Sequence, residues 1–199
     1  MRLSAILISL LAAGPAAAAT ANFDSVTSTQ NFPAPPGYAE NGFTFRSTVA
    51  TAPYVRIFST NPPSPYILAC GQQAASPCED ADLEVVFPFA TDAFAVDIRA
   101  VDDEDSVVTF NFSGPDGSVV QTCTGFDTDF NALTSISFSG LGGVRSVVIS
   151  DNDPAGVGFD NFRIGDSVPD TDMPAVPIPA TGLLLFGALA SLGAVRRRS

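Results

Sequence analysis

Four acidic clusters, two cysteines eight residues apart and three tyrosines are the side chains this 199-residue chain offers to chemistry. It has no histidine, and its nine basic residues are all arginines. Without imidazole there is no Ser-His-Asp triad, no HExxH zinc site and no histidine proton shuttle. Without lysine there is no Schiff base and no P-loop lysine. The acids group in Glu79-Asp80-Ala81-Asp82-Leu83-Glu84, Asp102-Asp103-Glu104-Asp105, Asp127-Thr128-Asp129 and Asp151-Asn152-Asp153. None has the EF-hand spacing with its glycine and closing glutamate. Oxygen donors alone would select Ca²⁺ over a transition metal; the other reading is solvated acidic loops that keep the protein soluble. Two carboxylates suffice for glycoside hydrolysis, so a carboxylate-pair hydrolase is a third-ranked reading, with no aromatic-lined cleft to support it.

Cys70 and Cys78 enclose Gly-Gln-Gln-Ala-Ala-Ser-Pro, a turn-rich loop that brings them together as a disulfide. Cys123 sits in a strand-like stretch and reads as a buried thiol, with no histidine to make it a nucleophile. Tyr38, Tyr54 and Tyr66 all fall in the Pro-rich segment Tyr38 to Pro77. They are the candidate glycan-binding rings, packing being the alternative use of a loop tyrosine. In Gly158-Phe159-Asp160-Asn161-Phe162-Arg163-Ile164, Asp160 shares parity with Phe162 and Ile164. If that parity faces the core, Asp160 points inward and needs a cation, an arginine or backbone N–H donors.

The elements that must hold these residues have a period of two. Phe94, Val96, Ile98 and Ala100 alternate with Asp97 and Arg99, and Val108, Phe110 and Phe112 alternate with Thr109 and Asn111. Thr134–Ser139 repeats the pattern, and Val144–Ser150 reads as a covered strand. Further strands are expected at Asn22–Val26, Gly42–Ser47, Tyr54–Ser59, Leu83–Phe87, Ser118–Cys123 and Gly158–Ile164. Ser113-Gly114-Pro115-Asp116-Gly117 is a hairpin signal. Roughly ten short strands at about 8–15-residue spacing predict an all-β chain: a single, jelly-roll-like β-sandwich over residues 21–165. Tyr38 to Pro77 is its least regular part, and Asp166 to Ala175 reads as a polar tether.

The ends carry address information. Arg2, the apolar Leu3–Ala13 and Ala17-Ala18-Ala19 make a secretory signal peptide over 1–19, with Ala19-Thr20-Ala21 as a second cleavage site. At the other end stand Val176-Pro177-Ile178-Pro179-Ala180, an uncharged run to Val195, and Arg196-Arg197-Arg198-Ser199. A helix over about 180–195 would span roughly 24 Å, a little short of a hydrocarbon core of about 30 Å. The basic tail 196–199 stays cytoplasmic and puts the N-terminal bulk outside. With four of the nine arginines in these ends, the remainder sets five arginines against 21 acids, a net of −16. That charge repels phosphate backbones and excludes nucleic acid as the expected partner.

The segment Val176–Ser199 resembles the PEP-CTERM class of exosortase substrates of Gram-negative bacteria, in its VPLPA-CTERM variant, with isoleucine in place of leucine. The resemblance implies an exosortase-type membrane enzyme as partner, which recognises Val176–Ala180 and removes the helix. It also implies a precursor held in the inner membrane, then a product at the cell surface or in an exopolysaccharide matrix. The Gly-Phe-Asp-Asn-Phe strand resembles the last strand of jelly-roll modules in PEP-CTERM proteins and in some carbohydrate-binding modules. There a last-strand aspartate joins a first-strand acid at a structural calcium, which makes Asp24 and Asp160 the candidate Ca²⁺ ligands, against a backbone-satisfied Asp160. The reading placed first is a non-catalytic, exported surface or matrix protein. The alternative is a lectin-like polysaccharide-binding module, with Ca²⁺ as its optional cofactor.

Overall fold

The computed structural model describes residues 17–59, 65–71, 78, 81–99, 101, 105–115, 117–126, 133–153 and 156–168. The sorting motif Val176–Ala180, the arginines Arg196–Arg198, the tether beyond 168 and the signal peptide's first 16 residues lie outside them. The described residues form strands and turns and no helix, so none of their segments is a helix long and apolar enough to cross a membrane.

The chain is all-β. Its strands are β1 (Ala18–Ala21), β2 (Gln30–Pro33), β3 (Tyr38–Glu40), β4 (Phe43–Ser47), β5 (Tyr54–Phe58), β6 (Tyr66–Cys70), β7 (Leu83–Arg99), β8 (Val108–Gly114), β9 (Gly117–Cys123), β10 (Thr134–Asp151) and β11 (Gly158–Gly165). They join one hydrogen-bonded sheet in the order β2-β5-β6-β11-β7-β10-β8-β9, with β1 on β11 and β4 linking β3 to β7. This sheet fits a β-sandwich, because β7 and β10 are long enough to serve both layers. The first half of β7 pairs with β4 and with the end of β10. Its second half pairs with β11 and with the start of β10.

The sequence pattern predicts a break in both strands, and both bend instead. On β10 the bend is Gly140-Leu141-Gly142-Gly143, whose three glycines have φ of 70°, 74° and 76°, a region L side chains avoid. The register shifts there as in a β-bulge. Side chains on β7 hold the corner: Gly143 N–H donates to Asp92 Oδ1 at 2.6 Å, and Gly165 N–H donates to Thr91 Oγ1 at 3.1 Å.

Phenylalanine fills the space between the layers. Phe94 on β7 meets Phe110, Phe112, Phe138 and Phe162 with ring centroids 5.4–6.4 Å apart, while Phe23 bridges Phe45 and Phe162. Aromatic pairs at this range add about 0.5–1.5 kcal/mol each beyond area burial. The expected strand Asn22–Val26 is instead a turn, with Val26 N–H bonded to Phe23 O, and the strand precedes it as β1. The segment read as irregular contains β3 through β6. Its described prolines, Pro53 and Pro65, each stand just before a strand, where a missing N–H breaks no ladder.

Candidate functional site

Two constellations stand on the outer face of the layer β2-β5-β6-β11-β7, away from the phenylalanine core. The first is buried and polar. Asp160 and Asp97 are register partners on β11 and β7, and they are 0% and 6% exposed. Asp97 accepts hydrogen bonds from Ser135 Oγ, from Arg163 Nη2 at 2.7 Å and from Asn161 Nδ2 at 2.8 Å. Asp160 accepts from the Asn161 N–H at 2.7 Å and from Asn161 Nδ2 at 3.3 Å. Arg99, buried beside them, lies over the Tyr66 ring at 4.6 Å.

The parity assumed for Asp160 is corrected by a bulge. Phe159 pairs with Ile98 and Ile164 with Phe94, both in the core, but the register shifts between Asp160 and Arg163. Asn161 supplies the extra residue, with φ of 49°, in the left-handed region that asparagine tolerates better than most residues. Asp160 therefore shares its face with Arg163 and Asp97 and turns away from Phe162. The alternation visible in the sequence gives no sign of that inserted residue.

Asp24 and Asp160 have separate partners. Asp24 is exposed in the turn after β1 and takes the Asn22 amide at 2.6 Å, while Asp160 is held by Asn161. Among the described residues no three His, Cys, Asp or Glu are grouped to hold a metal. Of the acidic loops, the Asp151-Asn152-Asp153 turn is tied to the residues just ahead of β8: Ser106 Oγ donates to Asp153 Oδ2 at 3.1 Å, and Val107 N–H donates to Asn152 Oδ1 at 2.6 Å. Burial, with Asp153 nearby, pushes the Asp151 carboxyl up to about 6.

The second constellation is open. On β5 the alternation buries Val55 and Ile57 and leaves Tyr54, Arg56 and Phe58 half-buried on the outer face. The Arg56 guanidinium lies 5.6 Å from the centroids of both rings. Its Nε donates to Asn31 Oδ1 on β2 at 2.7 Å. Behind them Tyr66, Leu68 and Cys70 of β6 form a small apolar cluster, packed by Tyr54, Phe58 and Cys78. Cys70 is disulfide-bonded to Cys78, and Cys123 is a half-buried free thiol whose pKa burial raises.

The structure does not bring the three tyrosines together. Tyr38 packs on Phe23, Phe32 and Phe45 at the edge of the core. Tyr66 is 4% exposed, stacked on Phe58 and so close to Gly158 that a Cβ there would meet the ring at 2.5 Å. Only Tyr54 is left on the half-open face, and its companions there are Arg56, Phe58 and Asn31. The signal that could have found them is the alternation of Tyr54-Val55-Arg56-Ile57-Phe58 itself.

No protein-family model matches the chain, and no curated protein matches it in sequence. Among solved structures it is similar to the K2 cleaved adhesin domain of Lys-gingipain, at 12% identity and TM-score 0.46, over 74% of this chain and 97% of that one. A point mutant of a family 29 carbohydrate-binding module gives 9% and 0.42, over 72% and 99%. A family 6 carbohydrate-binding module gives 14% and 0.38, over 70% and 94%. These values assign the chain to no family.

Proposed function

We propose that this chain is an exported, non-catalytic module that binds polysaccharide on the outer face of β5. The observation that carries the reading is the Tyr54–Arg56–Phe58 row: two half-buried rings with a polar, hydrogen-bonding group between them and an amide, Asn31, beside it. Flat rings take the apolar faces of sugars, and directional donors fix their orientation. The sandwich is read as jelly-roll-like because sheet neighbours such as β6 and β11, or β4 and β7, are distant in sequence.

The carboxylate pair Asp97–Asp160 supports a non-enzymatic role. Both acids are buried, and Asp97 is already taken up by Arg163, Ser135 and Asn161. A glycosidase needs one acid free to give a proton and a second that reaches the sugar or a water.

Export remains part of the proposal. The disulfide fits an oxidising compartment. Processing by an exosortase-type enzyme, anchoring through 180–195 and final placement at the cell surface rest on the sequence of Val176–Ser199 alone.

The test is a panel of bacterial and plant polysaccharides titrated with the purified full chain and with Tyr54→Ala/Phe58→Ala. At least one polymer should bind, with a loss of 10-fold or more in the double variant. Binding to none, or binding the variant leaves intact, contradicts the reading.

A further inference from the structure

We propose that the ligand of the β5 face is an anionic polysaccharide and that Arg56 holds its carboxylates; this rests on the polysaccharide-binding reading. Strands β2, β5 and β6, the Gln30–Pro33, Tyr54–Phe58 and Tyr66–Cys70 segments, contain no aspartate or glutamate. Arg56 is their one charged residue, in a chain with 21 acids against nine arginines. Among the other described arginines, Arg163 pairs with Asp97, Arg46 pairs with Glu84, Arg99 is buried against Tyr66, and Arg145 stands exposed on β10 with no ring contact among the described residues. Arg56 has no carboxylate partner among the described residues. Its Nε is held by Asn31, and neither terminal nitrogen makes a hydrogen bond there.

That arrangement is specific in its chemistry. The Asn31 amide and the rings of Tyr54 and Phe58 fix the guanidinium plane, so little rotamer freedom remains to be lost on binding. The two terminal nitrogens form the fork that takes a carboxylate through parallel hydrogen bonds. A sugar acid presents both required parts at once, an apolar ring face for Tyr54 or Phe58 and a carboxylate for Arg56. The negative charge of the rest of the domain does not oppose this locally. At physiological salt the Debye length is about 8 Å, and the nearest strand of this layer with acids, β11, is two strands from β5, about 9–10 Å away.

The experiment is isothermal titration of the full chain at neutral pH and 0.15 M salt with polygalacturonate and alginate, each against its methyl ester. The ester keeps the backbone and removes the charge. At least one free acid should bind 10-fold or more tighter than its ester. Arg56→Gln should bring that ratio to within about twofold, and Arg56→Lys should keep part of it. Equal affinity for acid and ester, or a preference that survives Arg56→Gln, overturns the assignment. If acid and ester bind equally and Tyr54→Ala/Phe58→Ala abolishes both, the sugar-binding reading stands and the acid preference falls. If no polymer of this set or of the wider panel binds, both fall.

Discussion

Asp97 and Asp160 oppose each other across β7 and β11, and the amide of Asn161 reaches both, at 2.8 Å and 3.3 Å. Two buried carboxylates side by side repel unless cations or donors divide the charge. Here Arg163 takes one oxygen of Asp97 and Asn161 the other. Asp97→Ala would leave Arg163 without its partner at 19% side-chain exposure. It should destabilise by roughly 2–4 kcal/mol, somewhat discounted for that exposure, as read by urea denaturation. A loss below about 0.5 kcal/mol, the usual scale of a neutral surface change, would show that the cluster is incidental.

The bulge makes a finer prediction. Asn161 has φ of 49°, so Asn161→Gly loses the amide contacts and keeps the backbone, whereas Asn161→Ala loses both. The alanine variant should be less stable than the glycine variant by about 1 kcal/mol. Equal stabilities in thermal unfolding would mean that the backbone conformation carries no cost.

How much of this was legible beforehand differs by residue. The core was: Phe94, Val96 and Ile98, or Phe110 and Phe112, announce their inward face by simple alternation, and the Gly114 to Gly117 hairpin closes where its turn residues stand. The corners of β7 and β10 were not, since Pro88 and Asp92 on β7 and the glycine run on β10 mark a bend as readily as a turn and only tertiary pairing decides. Asp160 was misplaced for the same reason, by the one residue that a bulge inserts. The Arg56 row was written in the alternation of β5, but tyrosine content drew attention to Tyr66, which is buried, and to Tyr38, which packs at the edge of the phenylalanine core.

Asp151 sets a pH dependence. Its folded-state pKa is raised from 3.8 to about 6, so the native state holds its proton more tightly than the unfolded state does. Its contribution to stability is full below pH 3.8 and is lost as pH rises through about 6. Asp151→Asn removes that loss. Relative to the natural chain, the variant should gain on the order of 3 kcal/mol between about pH 3.5 and pH 8, measured as the difference between two denaturation series. A constant difference across the range contradicts the shift.

The ends can be read by intact mass on protein from its native host. Ala21 is fully buried, and the Thr20 carbonyl accepts the Asn41 amide at 2.7 Å. Cleavage after Ala19 removes the first half of β1, Ala18 and Ala19, and keeps Thr20 and Ala21, whereas cleavage after Ala21 removes the whole strand, so the mature chain should begin at Thr20. Exosortase-type processing predicts loss of everything after about Pro179. A chain that starts at Asn22, or one that retains Leu183–Ser199, contradicts the corresponding step.

Hydroxyl-radical footprinting with and without a bound polysaccharide tests the sugar-binding face most directly, because it reports which side chains the ligand covers. Tyr54 and Phe58 should be protected several-fold on binding, while Val120, 57% exposed on the distant β9, should react unchanged. Unchanged reactivity at Tyr54 and Phe58 in the saturated complex, or protection concentrated on β9, would contradict a binding site on β5.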